Sequence, residues 1–81
     1  MARILYFAGL VEAVGTASEE VILPAEVNDV RTLIAWLRRR GPQYEQALAR
    51  GSVRVTVNKQ FAELDTPVAP DDEIALVGMP R

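Results

Sequence analysis

Apolar and polar positions change their spacing several times along the chain, and each change marks an element. Arg3 to Ala8 is a β-rich, nearly continuous apolar run bounded by Gly9, which predicts a central first strand covered on at least one face. Leu10-Val11-Glu12-Ala13-Val14 crowds its apolar residues too closely for an alternating strand. A short helical turn ended by Gly15 is expected there. Glu19 to Leu23 predicts a second strand, stopped by Pro24 and paired antiparallel with the first. Asn28 and Asp29 are both good N-caps for the clearest helix of the chain. Within it Val30, Leu33, Ile34 and Leu37 fall at i, i+3, i+4 and i+7 and share one face, with Trp36 at its edge. Arg38-Arg39-Arg40 closes this helix at its partly negative carbonyl end, and Gly41 is expected at C′.

Pro42 opens a second, shorter helix with Tyr44, Ala47 and Leu48 at helical spacing, ending at Arg50-Gly51. Ser52 to Val57 alternates, which turns Val53, Val55 and Val57 inward and Arg54 and Thr56 outward. Asn58-Lys59 predicts a turn and Phe61-Ala62 a short return strand. Leu64 to Pro70 reads as a loop, and Ala69-Pro70-Asp71-Asp72 as a type I turn feeding a last strand, Glu73 to Val77. Gly78 weakens a strand and Pro80 lacks the N–H of a ladder. Gly78, Met79, Pro80 and Arg81 are therefore expected to project as a free tail. The order β-β-α-α-β-β-β argues a single α+β domain over residues 1–81, with one principal helix across a mixed sheet.

Composition narrows the chemistry. At 81 residues and 49% apolar content the chain closes a core without staples. It holds no Cys and no His, which removes disulfides, thiolate catalysis and the commonest general base and metal ligand. No catalytic residues, metal ligands or cofactor site are expected. Glu19 and Glu20, as strand neighbours, point to opposite faces. Asp71-Asp72-Glu73 sits on a turn, and Lys59, the sole lysine, on another. All read as structural or solvated. Eleven acidic against nine basic residues give a net charge of −2, a balance unlike that of nucleic-acid binders. The arginine triplet reads as a solvated, dipole-matched helix end. The apolar run at the start is too short for a signal peptide or a membrane span, so a soluble cytoplasmic protein with protein partners is expected. Phe7, Phe61 and Val77 lie on three different strands. They belong either to the core or to the sheet face that a single helix layer leaves open, and both placements stand at this point.

One resemblance covers the whole chain. It is carried by Ile4 to Ala8 with Val11 to Gly15, by Asp29 to Leu33, by Val55 to Asn58, by Asp65 to Val68 and by Asp72 to Leu76. In this order and spacing the chain resembles the small subunit of molybdopterin synthase, a sulfur carrier with the ubiquitin-like β-grasp fold. The thiamine-pathway carrier resembles it less, being usually shorter and without the Glu12 to Gly15 segment. The resemblance implies a non-catalytic carrier subunit whose C-terminal carboxylate is activated by an ATP-dependent adenylating enzyme and converted to a thiocarboxylate. It implies that the tail then enters the large synthase subunit and gives sulfur to cyclic pyranopterin monophosphate for molybdenum cofactor synthesis. It also implies that Phe7, Phe61 and Val77 form the apolar docking surface. Family carriers end in Gly-Gly on a slightly longer tail, whereas here Pro80 fixes its φ and Arg81 is bulky. Two functions follow: a thiocarboxylate carrier, or a β-grasp interaction module or paralogue without sulfur transfer.

Overall fold

Burial with a period of two along strand β1 (Ala2–Phe7) defines the two faces of the sheet. Ala2, Ile4 and Tyr6 are buried, while Arg3, Leu5 and Phe7 point the other way. The computed structural model describes residues 1–49 and 53–78 of the chain. After β1, helix α1 (Leu10–Val14) ends on Gly15, whose φ of 88° permits a left-handed cap donating to Val11 C=O. Strand β2 (Ser18–Val21) returns antiparallel to β1, as expected. It stops short of the expected end, and Ile22 is left exposed.

Helix α2 (Val30–Arg38) starts on the predicted cap. Asp29 carboxylate accepts from Thr32 N–H, and Thr32 Oγ1 accepts in return from Asp29 N–H. Val30, Leu33 and Leu37 are buried and Ile34 packs on their edge. Gly41 departs from the sequence reading. The cap residue of α2 is Arg39 in a right-handed conformation, and Gly41 is extended at φ 165° as N-cap of helix α3 (Pro42–Ala47). The reason is local, because a residue before proline is pushed toward extended backbone. Helix α3 ends at Ala47 with Leu48 as its cap, short of the expected end at Arg50-Gly51; Arg50, Gly51 and the predicted strand start at Ser52 lie outside the described residues.

Strand β3 (Val53–Val57) turns through Asn58 and Lys59 into β4 (Gln60–Phe61). Both turn residues have positive φ, 51° and 70°, the signature of a two-residue hairpin loop that fits the sheet twist. Strand β5 (Glu73–Gly78) completes the sheet in the order β2-β1-β5-β3-β4. It lies parallel to β1 and antiparallel to β3. Gly78 is not a free tail residue: it belongs to β5 and pairs with Val53. Glycine keeps its N–H, so it weakens a strand without ending it. A Cβ at Gly78 would stand 3.4 Å from Leu10 Cγ, so the end of β5 sits close against α1. Met79, Pro80 and Arg81 lie outside the described residues.

The core lies between the helices and one face of the sheet. Ile4, Tyr6, Leu33, Leu37, Leu48, Ile74 and Leu76 are its large, fully buried members. Replacing Asn58, at its positive φ, with Val should shift the thermal unfolding midpoint downward, because a β-branched residue fits that backbone poorly. Asn58→Gly keeps the backbone conformation but removes the side-chain bonds to Asp72 and from Glu73 N–H, so it should lower the midpoint as well, by less than Asn58→Val.

Candidate functional site

The face of the sheet away from the helices is where apolar side chains remain open to solvent. Register puts Phe7 beside Val77 on the two central parallel strands, and Leu5 beside Ala75 one step down. Thr56 of β3 stands next to Ala75, and across it Phe61 of β4. Phe7 is 46% exposed and Phe61 76%, with Val77 half-buried. This settles the open alternative: all three residues lie outside the core. Leu5, Phe7, Thr56, Ala75 and Val77 line a shallow depression of about 490 Å³ that Lys59 and Glu73 also border. Phe61 lies further out, with the Arg54 guanidinium 5.5 Å from its ring centre in cation–π range. Sequence reading missed Leu5 and Ala75, which follow from stepping back two residues from Phe7 and Val77.

The charged residues are mostly tied into the scaffold. Glu19 and Glu20 face opposite ways, as expected, since Glu19 pairs with inward Ile4 and Glu20 with outward Arg3. Glu19 accepts from Tyr6 Oη at 2.6 Å and from Arg40 Nη2 at 2.9 Å. The Arg40 guanidinium also lies over the rings of Tyr44 and Trp36, at 4.9 and 5.5 Å. Arg40, though exposed, is therefore more than a solvated helix end: it clasps β2 to the α2–α3 junction. Arg38 pairs with Glu45. The local pattern could not show this, because the partners of Arg40 and Glu19 stand 21 residues apart.

Burial pushes the Glu19 carboxyl up, yet the hydrogen bonds from Arg40 and Tyr6 outweigh it and hold the group below the usual range. Burial, and then the bond to Glu19, pushes the Tyr6 hydroxyl well above its ordinary range. A depressed carboxylate contributes stability above its unfolded pKa that is lost as pH falls through the folded one. Glu19 should thus stabilise above the ordinary glutamate range of about pH 4.3 and lose its contribution as pH falls below it. Glu19→Gln should flatten that part of the acid side of a urea-unfolding profile and cost about 1–3 kcal/mol at neutral pH.

The acidic turn is likewise structural. Asp71 pairs with the Met1 amino group, and Asp72 accepts from Ala69 N–H and Asn58 Nδ2. Among the described residues no group of acidic side chains could hold a metal ion, and no helix is long and apolar enough to cross a membrane. The open apolar face thus remains the candidate site, with β5 running past it toward the end of the chain. A family model, that of the ThiS family, matches residues 4–79.

The chain belongs to the ThiS family.

The matched span includes the Glu12 to Gly15 segment. Among solved structures, this ThiS-family chain is similar to SAMP1 from Haloferax volcanii, at 22% identity and a TM-score of 0.79 over 98% of this chain and 94% of that one. It is equally similar to a Pyrococcus furiosus protein described as molybdopterin converting factor subunit 1, at 22% identity and 0.79 over 98% and 97%. No curated protein sequence matches it. The mixed five-stranded sheet with its helices is the ubiquitin-like β-grasp of these neighbours. The resemblance read from the sequence is borne out at the level of family and fold.

Proposed function

We propose that this ThiS-family protein is a sulfur carrier of the molybdopterin-synthase type, acting in the cytoplasm. In this reading an ATP-dependent adenylating enzyme makes the C-terminal carboxylate an acyl adenylate. A sulfur donor displaces AMP and leaves a thiocarboxylate. The carrier then docks through Phe7, Phe61 and Val77 on a large synthase subunit, which takes the sulfur. Nucleic acid and membrane have no part in it.

The observation that carries this reading is the course of β5. Val77 stands on the open apolar face and Gly78 follows it at the end of the strand. A partner that covers Phe7 and Val77 is therefore placed beside the exit of the C-terminal segment. Apolar surface of this kind favours protein partners. The absence of Cys and His from the sequence suits a protein whose reactive group is made on its main-chain terminus by another enzyme.

A second reading rests on Pro80, whose φ is fixed, and on the bulky cationic Arg81, neither of which threads a narrow channel as glycine does. There the chain is a β-grasp interaction module, binding through the same face without sulfur transfer. Titration calorimetry with a large synthase subunit separates the two. A carrier should bind, and deleting residues 79–81 should weaken binding, because the inserted tail is part of the contact. Binding unaffected by the deletion supports the module. No binding by either form contradicts both.

A further inference from the structure

The open face of the sheet carries a cation that nothing in the fold answers. Arg54 stands opposite Val77 in the β3–β5 register, and Val77 opposite Phe7 in the β5–β1 register. Paired residues on neighbouring strands share a face, so Phe7, Val77 and Arg54 form one row across the sheet. Leu5, Ala75, Thr56 and Phe61 form the next row. Arg54 is exposed, and its guanidinium lies over the Phe61 ring, 5.5 Å from the ring centre. A guanidinium stacked on a ring keeps N–H groups free at the edge of its plane. The row of Arg54 is also the one nearest the end of β5, since Gly78 follows Val77.

Among the described residues Arg54 enters no ion pair, whereas Arg38 and Arg40 have Glu45 and Glu19. The acidic residues of the open face lie elsewhere. Glu20 and Glu73 flank Arg3 in the register. Glu73 stands four residues before Val77, about 13 Å back along the strand. Glu63 and Asp65 border a hollow with Arg54 on the β4 side, yet neither forms an ion pair with it. The cation next to Val77 is thus held by an aromatic ring and left without a carboxylate.

We propose that the large synthase subunit docked on this face presents an aspartate or glutamate to Arg54, and that this pair selects the partner. The inference rests on the docking reading given above. A surface that covers Phe7 and Val77 also reaches Arg54, one strand further on at about 4.8 Å spacing. Taking a guanidinium out of water is costly unless a carboxylate answers it. The Phe61 ring holds the guanidinium in place, and two parallel N–H donors suit a carboxylate. An apolar surface without that acid would leave the cation covered and unpaired, which rejects it. The complementary patch is therefore apolar over Phe7 and Val77. Its carboxylate lies on the β3 side, beside the end of β5.

Calorimetric titration of the full chain with a large synthase subunit tests this. Arg54→Gln should weaken binding by at least about tenfold, because the partner's carboxylate is left without its cation. Arg54→Glu should weaken it further, and Arg54→Lys should recover only part of the affinity, since an ammonium lacks the paired donors. Raising the salt from about 0.05 to about 0.5 M should weaken the unsubstituted chain more than Arg54→Gln. Glu63→Gln should bind as the unsubstituted chain does. Full affinity of Arg54→Gln alongside lost affinity of Phe7→Asp would overturn the inference and leave the docking face standing. Full affinity of both variants, or no binding by the unsubstituted chain, would overturn the docking reading as well. A loss for Glu63→Gln equal to that for Arg54→Gln would make the pair internal to this chain and overturn the inference too.

Discussion

Leu76→Ala should destabilise the protein by about 2–5 kcal/mol, the range for truncating a buried leucine. Leu76 is fully buried at the centre of the sheet, between Tyr6 of β1 and Val55 of β3. Neither flanking strand has slack to close the cavity, because β5 is held on both sides. For a domain of this size the loss corresponds to a melting midpoint lower by roughly 10–30 °C. Val77→Ala, one residue on, should cost less than about 1 kcal/mol, because Val77 faces away from the helices. Paired melts of the two variants read the face assignment directly. Equal losses would contradict it.

The second large effect concerns binding. Phe7→Asp should lower the melting midpoint far less than Leu76→Ala, because Phe7 is 46% exposed and stands on the outer face. The same substitution should weaken the complex with a large synthase subunit by at least about thirtyfold, as at a central hot spot. Val77→Asp should do the same, since it sits beside Phe7 in the β1–β5 register. Phe61→Asp should matter less, because Phe61 stands on β4, beyond β3, and is 76% exposed. Calorimetric titration of the three variants gives the order. Unchanged affinity for Phe7→Asp would remove the apolar face from the docking surface.

Much of the fold was legible because it is written in local patterns. Alternation along β3, the stripe Val30, Leu33, Ile34 and Leu37, the Asp29 cap and the Asn58-Lys59 turn each rest on residues a few positions apart. The family resemblance was legible for a related reason, since those segments keep their order and spacing. What escaped depends on distant partners. The continuation of β5 through Gly78 needs Val53 beside it, 25 positions earlier in the chain. The clasp of Arg40 on Glu19, Tyr44 and Trp36 needs the α2–α3 junction to meet β2. The placement of Phe7, Phe61 and Val77 was open for the same reason: a strand pattern separates two faces but does not say which one the helices cover. Ile22 shows the converse, an apolar residue that extended a predicted strand yet lies exposed past its end.

The most direct test of the sulfur-carrier reading is the intact mass of the protein after incubation with an adenylating enzyme, ATP and a sulfur donor. The mass should rise by one oxygen-to-sulfur exchange, mapped by fragmentation to the C-terminal carboxylate, and should stay unchanged when ATP is withheld. An unmodified mass in a reaction where the enzyme converts a Gly-Gly-ended carrier would contradict it.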